Sequence, residues 1–203
     1  MNNKKTYYQK FDKDFYTSDG YNDYHARCVV ESEKIIIPTI IKKINPQKHW
    51  KFLDVGCSLG GNIIALNQLE FNAIGTEISE YCLSNSEVKN KMIFGECFNL
   101  PFQNKSFEVV ICMDIFIYLT EEEIIKSVQE LTRVASKYIV FSTIDKYSKN
   151  ADQEHNPDEL RKDTVNFYSD KDYINLFESA ATKLLEKNIF PPKWDFGAIF
   201  KIL

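Results

Sequence analysis

The sequence predicts an α/β domain built on a mostly parallel sheet, and three observations carry that prediction. Short apolar segments typical of strands alternate with helix-like segments from residue 51 to residue 142. The chain has 203 residues, 44% hydrophobic and 27% charged, which suits one folded domain with a sizeable core. Five of its 7 glycines lie between Gly56 and Gly95. Because glycine permits tight turns and close backbone approach, this cluster indicates a site.

The first 45 residues are predicted to form a helical cap that belongs to the same domain. Apolar residues from Tyr24 to about Ile44 recur at three- and four-residue spacing, which favours a helix that Pro38 kinks. Aromatic and charged residues interleave before this helix and need a surface to lie on. We therefore divide the chain into a cap segment, 1–45, and the main body, 46–203.

The first half of the body alternates strands with helices. The strands end at Gly56 and Glu77, and Ser79 is a suitable N-cap for the second helix. In chain order the predicted elements are strand Lys51–Val55, helix Gly60 to about Leu69, strand Asn72–Thr76, helix from Ser79 to about Lys89, and strand Met92–Phe94.

The second half adds four strands and two helices. Thr120 and Glu123 fit a capping box, and Ser169 fits an N-cap. The predicted elements are strand Phe107–Cys112, a helix to about Val134, strand Tyr138–Ser142, a polar excursion over 145–164, a helix from Ser169 to about Ser179, and strands Lys183–Ile189 and Phe196–Ile202. The result is a seven-stranded, mostly parallel sheet with an antiparallel last strand.

Polar residues follow the predicted strands at the edge where open α/β sheets bind ligands. Asp54 precedes a glycine turn, and Glu77 ends the second strand, where an acidic side chain can accept both hydroxyls of a ribose. Glu96 and Phe98 follow the third strand, where a carboxylate can accept from an exocyclic amine and an aromatic ring can pack on a purine. The plain alternatives are a turn without a ligand and solvated carboxylates at strand ends.

These segments resemble class I S-adenosylmethionine-dependent methyltransferases. Leu53–Gly60 is similar to the first motif of that family, and Gly75–Ser79 to its second strand end. Gly95–Phe102 resembles the adenine-side motif, with Glu96 where aspartate is usual, and Ser106–Leu119 resembles the fourth strand and the following turn. The matches span about residues 50 to 145. They imply a Rossmann-like fold and S-adenosyl-L-methionine as cofactor, with S-adenosyl-L-homocysteine as product.

The resemblance also implies roles for single positions. Asp54 would orient the glycine loop or meet the methionine amino group, and Glu77 would hold the ribose hydroxyls. Ser58 stands where the family usually has a glycine, so the loop is expected to be less open. The remaining cofactor-binding positions that the resemblance implies are Gly56, Cys57 and Gly60 at the methionine moiety, Ile78, Glu96, Cys97 and Phe98 around adenine, and Met113 at the methionine amine. The family's Pro-Gly-Gly turn before the fifth strand is absent.

Methyl transfer to a hydroxyl is helped by a general base, and four residues are candidates. Asp114 and Tyr118 follow the fourth strand, His155 lies in the polar excursion, and His25 opens the N-terminal helix. Packing or surface roles stay open for His25, Tyr118 and His155, and helix capping stays open for Asp114. Tyr24 and Arg27 of the cap are candidates for contact with the cofactor carboxylate or the acceptor, with packing of the cap as the alternative.

Absences and charge favour a small-molecule acceptor. No Asp/Asn-Pro-Pro-Tyr run follows the fourth strand, and that run marks methyltransferases that act on adenine or glutamine. The net charge of −4 and the lack of a basic cluster argue against nucleic acid, and no apolar run suits a membrane. The preferred acceptor is a sugar, a surface-glycan intermediate or another secondary metabolite. We expect a cytoplasmic monomer or homodimer without a metal, with the five cysteines as free thiols.

Two other readings of the strand ends stay open. A nicotinamide-dependent oxidoreductase is the first, because Gly56, Ser58, Gly61 and Glu77 partly match the dinucleotide fingerprint. Against it, the chain lacks the Tyr-x-x-x-Lys pair of short-chain dehydrogenases. The second is a methyltransferase-like binding subunit without activity, which would be expected to have a degraded cofactor loop.

Overall fold

The computed structural model of the chain describes residues 10–17, 23–143, 168–191 and 196–203. The strands are β1 Lys51–Val55, β2 Asn72–Glu77, β3 Met92–Phe94, β4 Phe107–Met113, β5 Ala135–Thr143, β6 Thr182–Lys187 and β7 Phe196–Ile202. The helices are α1 Lys13–Thr17, α2 Tyr24–Glu31, α3 Ile37–Ile44, α4 Gly61–Gln68, α5 Glu80–Asn85, α6 Glu121–Val134 and α7 Asp170–Ser179. A π turn occupies Ser32–Ile36, and 3-10 turns occupy Lys89–Lys91 and Phe116–Tyr118.

The seven strands form one sheet in the order β3-β2-β1-β4-β5-β7-β6. The neighbours from β3 to β5 pair in parallel, and β7 pairs antiparallel with both β5 and β6. The prediction of a mostly parallel seven-stranded sheet with an antiparallel last strand is therefore confirmed. Because β1, β2, β4 and β5 run the same way, their carboxyl ends meet at one edge of the sheet.

Helices cover both faces of the sheet, as its apolar strands require. On one face Phe52 and Ile111 pack with α3 and α4, through residues such as Ile40 and Leu66. On the other face the core contains Leu53, Val110 and Phe141 with residues of α6 and α7. Alternate residues of each strand thus enter opposite cores, and α3 belongs to the core of the sheet.

Pro38 changes the N-terminal helix in the expected place. Three segments, α2, the π turn and α3, follow one another without a break, and the backbone N–H of Ile37 donates to the carbonyl of Ser32, five residues earlier. Proline lacks a backbone N–H and cannot continue the regular pattern. The irregularity takes the form of a π turn just before Pro38.

Two predicted boundaries were wrong by three residues or more, and β6 ends at Lys187 instead of the predicted Ile189. Helix α5 ends at Asn85 instead of about Lys89, because Ser86 leaves the helical conformation (φ −65°, ψ 143°) and its hydroxyl donates to the carbonyl of Leu59 at 2.9 Å. Strand β5 begins at Ala135 instead of Tyr138, directly after α6. There Ala135 pairs with Phe107, so the residues at the position of the missing Pro-Gly-Gly turn are part of the strand.

Within the described ranges, none of the helices combines the length and the apolar character that crossing a membrane requires.

Candidate functional site

The loop between β1 and α4 is a tight turn tied to β2. Backbone N–H groups of Gly56 and Cys57 both donate to the carbonyl of Thr76, at 2.9 and 3.0 Å. Gly56, Ser58 and Gly60 all have positive φ, at 72°, 49° and 87°. A Cβ on Gly56 would lie 2.5 Å from Cγ2 of Ile115, which follows β4. The turn therefore brings the ends of β1, β2 and β4 together, and Ser58 adopts a conformation that glycine usually takes.

Gly75, in β2, leaves room for side chains of the core. A Cβ at this position would lie 2.5 Å from the Cys57 sulfur and 2.7 Å from Cδ1 of Ile63.

Glu77 ends β2 as a buried carboxylate, 5% exposed, that accepts three backbone hydrogen bonds. Its Oε2 accepts from Ser58 of the glycine loop at 2.7 Å, and its Oε1 accepts from Ile78 and Ser79 at 2.8 and 2.9 Å. Burial raises the pKa of Glu77, and the three N–H groups oppose that rise. Because a carboxylate offers about four lone-pair positions, one position on Oε2 is left for a further donor.

Asp54 lies beside the loop, 4% exposed, with an uncharged partner. The side-chain amide of Asn62, in α4, donates to its Oδ1 at 3.3 Å, and Ser32 of the π turn donates to the Asn62 carbonyl oxygen at 2.8 Å. Burial raises the pKa of Asp54 to about 7, the Asn62 hydrogen bond lowers it, and the charge of Glu77 raises it. Asn62 and Ser32 were not found from the sequence, because nothing in their spacing reveals a contact across the fold.

The segment after β3 returns towards the same edge. The backbone N–H of Gly95 donates to the carbonyl of Glu77 at 3.2 Å, so Glu96 begins next to the end of β2. Phe98 is half-buried against the core on the α6 face. The Cys97 thiol is buried there and accepts from the hydroxyl of Ser127 at 3.2 Å. Any contact between Cys97 and an adenine would therefore come from its backbone.

The end of β4 carries Met113 and Asp114. Met113 is half-buried against the core on the α4 face. Asp114 is exposed with φ 55°, its N–H donates to the carbonyl of Ser142 at 2.9 Å, and Ser142 donates its hydroxyl to Oδ1 of Asp114 at 2.9 Å. Helix capping does not account for Asp114: the next 3-10 turn has no side-chain cap, and Thr120 caps α6.

The first described segment lies across the ends of β2 and β4. Phe11 is buried, its carbonyl accepts from the hydroxyl of Ser79 at 2.5 Å, and its ring meets that of Tyr118 edge-on at 5.3 Å. Tyr16 stacks on Tyr81 at 5.9 Å. Burial, followed by the charge of Glu77, raises the pKa of Tyr16. Only packing was expected of these aromatic residues, yet they lie at the edge of the sheet where β2 and β4 end.

The other cap residues lie further along α2. His25 has its Nε2 3.7 Å from a carboxylate oxygen of Glu87, and the ring of Tyr24 lies 6.1 Å from that of Tyr16. Arg27 is exposed, with its guanidinium 5.8 Å from the centre of the Tyr24 ring. Of these three residues, Tyr24 is the one whose ring lies close to Tyr16, in the first described segment. His155 lies outside the described residues.

The described residues contain no cluster of His, Cys, Asp or Glu suited to a metal ion, and the five cysteines are free thiols.

Comparison with known proteins agrees with this geometry. Residues 52–137 match the family model described as a methyltransferase domain. Within these residues the chain is similar to a methyltransferase domain. The matched residues begin in β1 and end in β5, so they include the glycine loop, Glu77 and the segment after β3. The resemblance seen in the sequence is thereby confirmed.

Solved structures share the fold of this chain over almost its whole length. A Haloferax volcanii protein in a complex with the Trm112 methyltransferase activator has a TM-score of 0.72 at 14% identity, covering 93% of this chain and 96% of its own. The magnesium protoporphyrin IX methyltransferase of Synechocystis, with bound S-adenosylhomocysteine, has a TM-score of 0.68 at 14% identity, covering 93% and 96%. These likenesses confirm the Rossmann-like methyltransferase fold.

Relatives found by sequence comparison match only part of this chain and part of their own length. An uncharacterized Methanocaldococcus jannaschii protein is 25% identical over 134 residues, which are 63% of this chain and 59% of the relative. The chain spans less than two thirds of the length of the curated relatives it matches. The names of these relatives therefore do not tell what this chain acts on.

Proposed function

We propose that this chain is an S-adenosylmethionine-dependent methyltransferase that transfers a methyl group to an oxygen or nitrogen atom of a small molecule. The observation that carries the proposal is the carboxylate of Glu77. It is buried at the end of β2 and bound by the Ser58 N–H of the glycine loop at 2.7 Å. An acidic group at this place is suited to a ribose hydroxyl. One acceptor position on Oε2 suits one such hydroxyl directly.

The residues around Glu77 fit the rest of the cofactor. Gly56 is half-buried and Gly60 is buried in the glycine loop, and Asp54 lies beside this loop as a buried carboxyl group with an uncharged partner. An amino group of the ligand would stabilise the ionised form of Asp54, because an opposite charge lowers the pKa of an acid. When bound, S-adenosylmethionine supplies an electrophilic methyl group. Glu96 and Phe98 would face the adenine.

Asp114 is the candidate base that its surroundings favour. It is exposed at the end of β4, and its backbone and side chain are both fixed by Ser142. Its left-handed conformation is a strained one of the kind that recurs at functional sites. Asp114 would accept the proton that a hydroxyl or amine acceptor loses. Phe11 and Tyr118, in contact at the same edge, would help to exclude water.

The acceptor class follows from charge and from the size of the fold. The net charge of −4 does not favour nucleic acid, and the methyltransferase fold accounts for nearly all of the chain. A small molecule bound between Asp114, Tyr118 and the aromatic segment fits both facts. A cytoplasmic monomer or homodimer stays the prediction.

Calorimetry with four ligands, three adenosyl compounds and NAD, tests the cofactor assignment. The wild-type chain should bind S-adenosylhomocysteine and should not bind NAD. It should bind the 2′-deoxy analogue of S-adenosylhomocysteine, or the 3′-deoxy analogue, more weakly by about 1–3 kcal/mol, the value of a hydrogen bond to a charged group. Glu77→Gln should bind all three adenosyl ligands with equal, reduced affinity. Glu80→Gln, an exposed change three residues away on α5, is the matched control and should behave as wild type.

Comparing ligands within one variant separates recognition from folding. Tight binding of NAD together with no binding of S-adenosylhomocysteine would refute the proposed function. If the wild-type chain bound both deoxy analogues as tightly as S-adenosylhomocysteine, the ribose assignment of Glu77 would be refuted, and the proposed function would not.

A further inference from the structure

A pair of charged residues on α6 holds the loop that follows β3. Glu130 and Arg133 are joined by two parallel hydrogen bonds: Nε to Oε1 at 2.6 Å and Nη2 to Oε2 at 2.7 Å. The Arg133 hydrogen bonds lower the pKa of Glu130. The side chain of Arg133 is 30% exposed and that of Glu130 is 19% exposed, so the pair lies at the edge of the core. Such a planar, bidentate geometry is specific to arginine.

The same two side chains bind the backbone of the loop. Glu130 accepts from the N–H of Leu100 at 2.8 Å, and Arg133 donates to the carbonyl of Leu100 at 3.0 Å. Arg133 also donates to the carbonyl of Phe102 at 2.6 Å and to the side chain of Asn104 at 3.0 Å. Both polar backbone groups of Leu100 are therefore held by one ion pair about thirty residues away in sequence.

The other end of the loop is fixed to β2. The N–H of Gly95 donates to the carbonyl of Glu77 at 3.2 Å, and four residues, Glu96, Cys97, Phe98 and Asn99, lie between the two anchors. The thiol of Cys97 accepts from Ser127, which is also on α6. Glu96 also pairs with Asn99, whose N–H donates to the Glu96 carbonyl at 3.0 Å, so the hold of α6 on Leu100 reaches Glu96 through Asn99.

We propose that Glu130 and Arg133 are positioning residues for adenine recognition: they hold the loop Gly95–Phe102 so that Glu96 meets the exocyclic amine of the adenine ring. This inference rests on the proposed function. Neither residue need touch the cofactor. A surface ion pair alone contributes little to stability, yet this pair orders a loop whose residues have no helix or strand to fix them.

The test compares ligands that differ at the adenine amine. S-inosylhomocysteine carries a carbonyl in place of that amine, so it offers Glu96 no donor there. The wild-type chain should prefer S-adenosylhomocysteine over S-inosylhomocysteine by at least about tenfold, which is about 1.4 kcal/mol. Arg133→Lys keeps the charge and loses the planar fork, and it should reduce this preference to less than about threefold. Glu96→Gln should do the same, and adding Arg133→Lys to Glu96→Gln should change the preference no further.

Lys126→Ala is the control, because it removes an exposed ion pair with Glu122 on the same helix. It should keep the wild-type preference. Thermal unfolding of each variant shows whether it folds. If Arg133→Lys does not fold, Glu130→Gln serves as a second test of the pair.

Two results would overturn the inference. In the first, Arg133→Lys or Glu130→Gln weakens both ligands by the same factor, which a purely structural role predicts. In the second, the wild-type chain binds S-adenosylhomocysteine without preferring it, so that Glu96 does not read the amine. Failure of the chain to bind S-adenosylhomocysteine at all is a different result, because it contradicts the proposed function itself.

Discussion

Replacing Asp54 with asparagine should make the folded chain more stable at pH 8 and weaken its binding of a ligand that carries an amino group. Asp54 is buried at the end of β1, and its hydrogen-bond partner is the neutral amide of Asn62 at 3.3 Å. An ionised carboxylate in such surroundings is costly, whereas an amide of nearly the same shape is not charged. The variant removes the charge and keeps an oxygen that Asn62 can donate to.

The size of the effect follows from the pKa. Burial raises the pKa of Asp54 from 3.8 to about 7. Each pKa unit is worth about 1.36 kcal/mol, so the ionised group costs the folded state about 4 kcal/mol at pH 8. The folded state binds the proton more tightly than the unfolded state. Stability from this group is therefore fully present below pH 3.8 and is lost as the pH rises to about 7.

Urea unfolding of wild type and Asp54→Asn at pH 5 and pH 8 measures this cost. The free energy of unfolding of the variant, minus that of wild type, should rise by about 3 kcal/mol between the two pH values. The difference cancels other groups that titrate in this range independently of Asp54. The amide of the variant has its own N–H groups to satisfy, so its net gain at pH 8 should be about 1–3 kcal/mol.

The control is Asp14→Asn, an exposed change of the same chemistry on α1, which gives the baseline for the comparison. A difference between wild type and Asp54→Asn that is the same at pH 5 and pH 8 would show that the carboxyl group is not held in the surroundings described above. A variant that is both more stable and as good a binder of S-adenosylhomocysteine would separate Asp54 from the amino group of the ligand.

Two further substitutions test the glycine loop. Gly56→Ala should lower the free energy of unfolding by about 2 kcal/mol or more, because φ is 72° and the new Cβ would lie 2.5 Å from Ile115. Adding Ile115→Ala should restore part of the loss. An unchanged urea midpoint for Gly56→Ala alone would contradict this explanation. Ser58→Gly should change the free energy of unfolding by less than about 1 kcal/mol, because relief of the positive φ of 49° is offset by the greater freedom of glycine in the unfolded chain. The calorimetric affinity for S-adenosylhomocysteine should stay unchanged. A large loss of affinity would mean that the serine side chain itself binds the ligand.

Local signals in the sequence were sufficient for most of the fold. The capping boxes at Thr120 and Ser169 begin α6 and α7 where predicted, because both bonds of each box are made within four residues. The end of β2 at Glu77 was likewise found, since an apolar strand followed by a cap at Ser79 has few other solutions. The end of α5 was missed because it is fixed by a bond from Ser86 to Leu59, which lies in another loop.

The parts of the site that the sequence did not reveal all depend on contacts distant in sequence. Ser32 reaches Asn62, Phe11 reaches Ser79, and Arg133 reaches Leu100. In each case one partner is an ordinary polar or aromatic residue within a helix or loop, and no spacing rule links it to the other. Sequence motifs therefore reveal the residues at the strand ends but not the residues that hold them in place.

The charges of the site bear on the choice between the two cofactor classes. Asp54 and Glu77 are both buried, and the charge of Glu77 raises the pKa of Asp54, so the two groups repel one another. Among the described residues, the hydrogen bonds to both come from uncharged donors, the Asn62 amide and three backbone N–H groups. A dinucleotide would bring its anionic pyrophosphate to the glycine loop and increase that repulsion. A ligand with an ammonium group near Asp54 would relieve it. The electrostatics therefore favour a cationic amino-acid moiety over a pyrophosphate at the end of β1, independently of any motif.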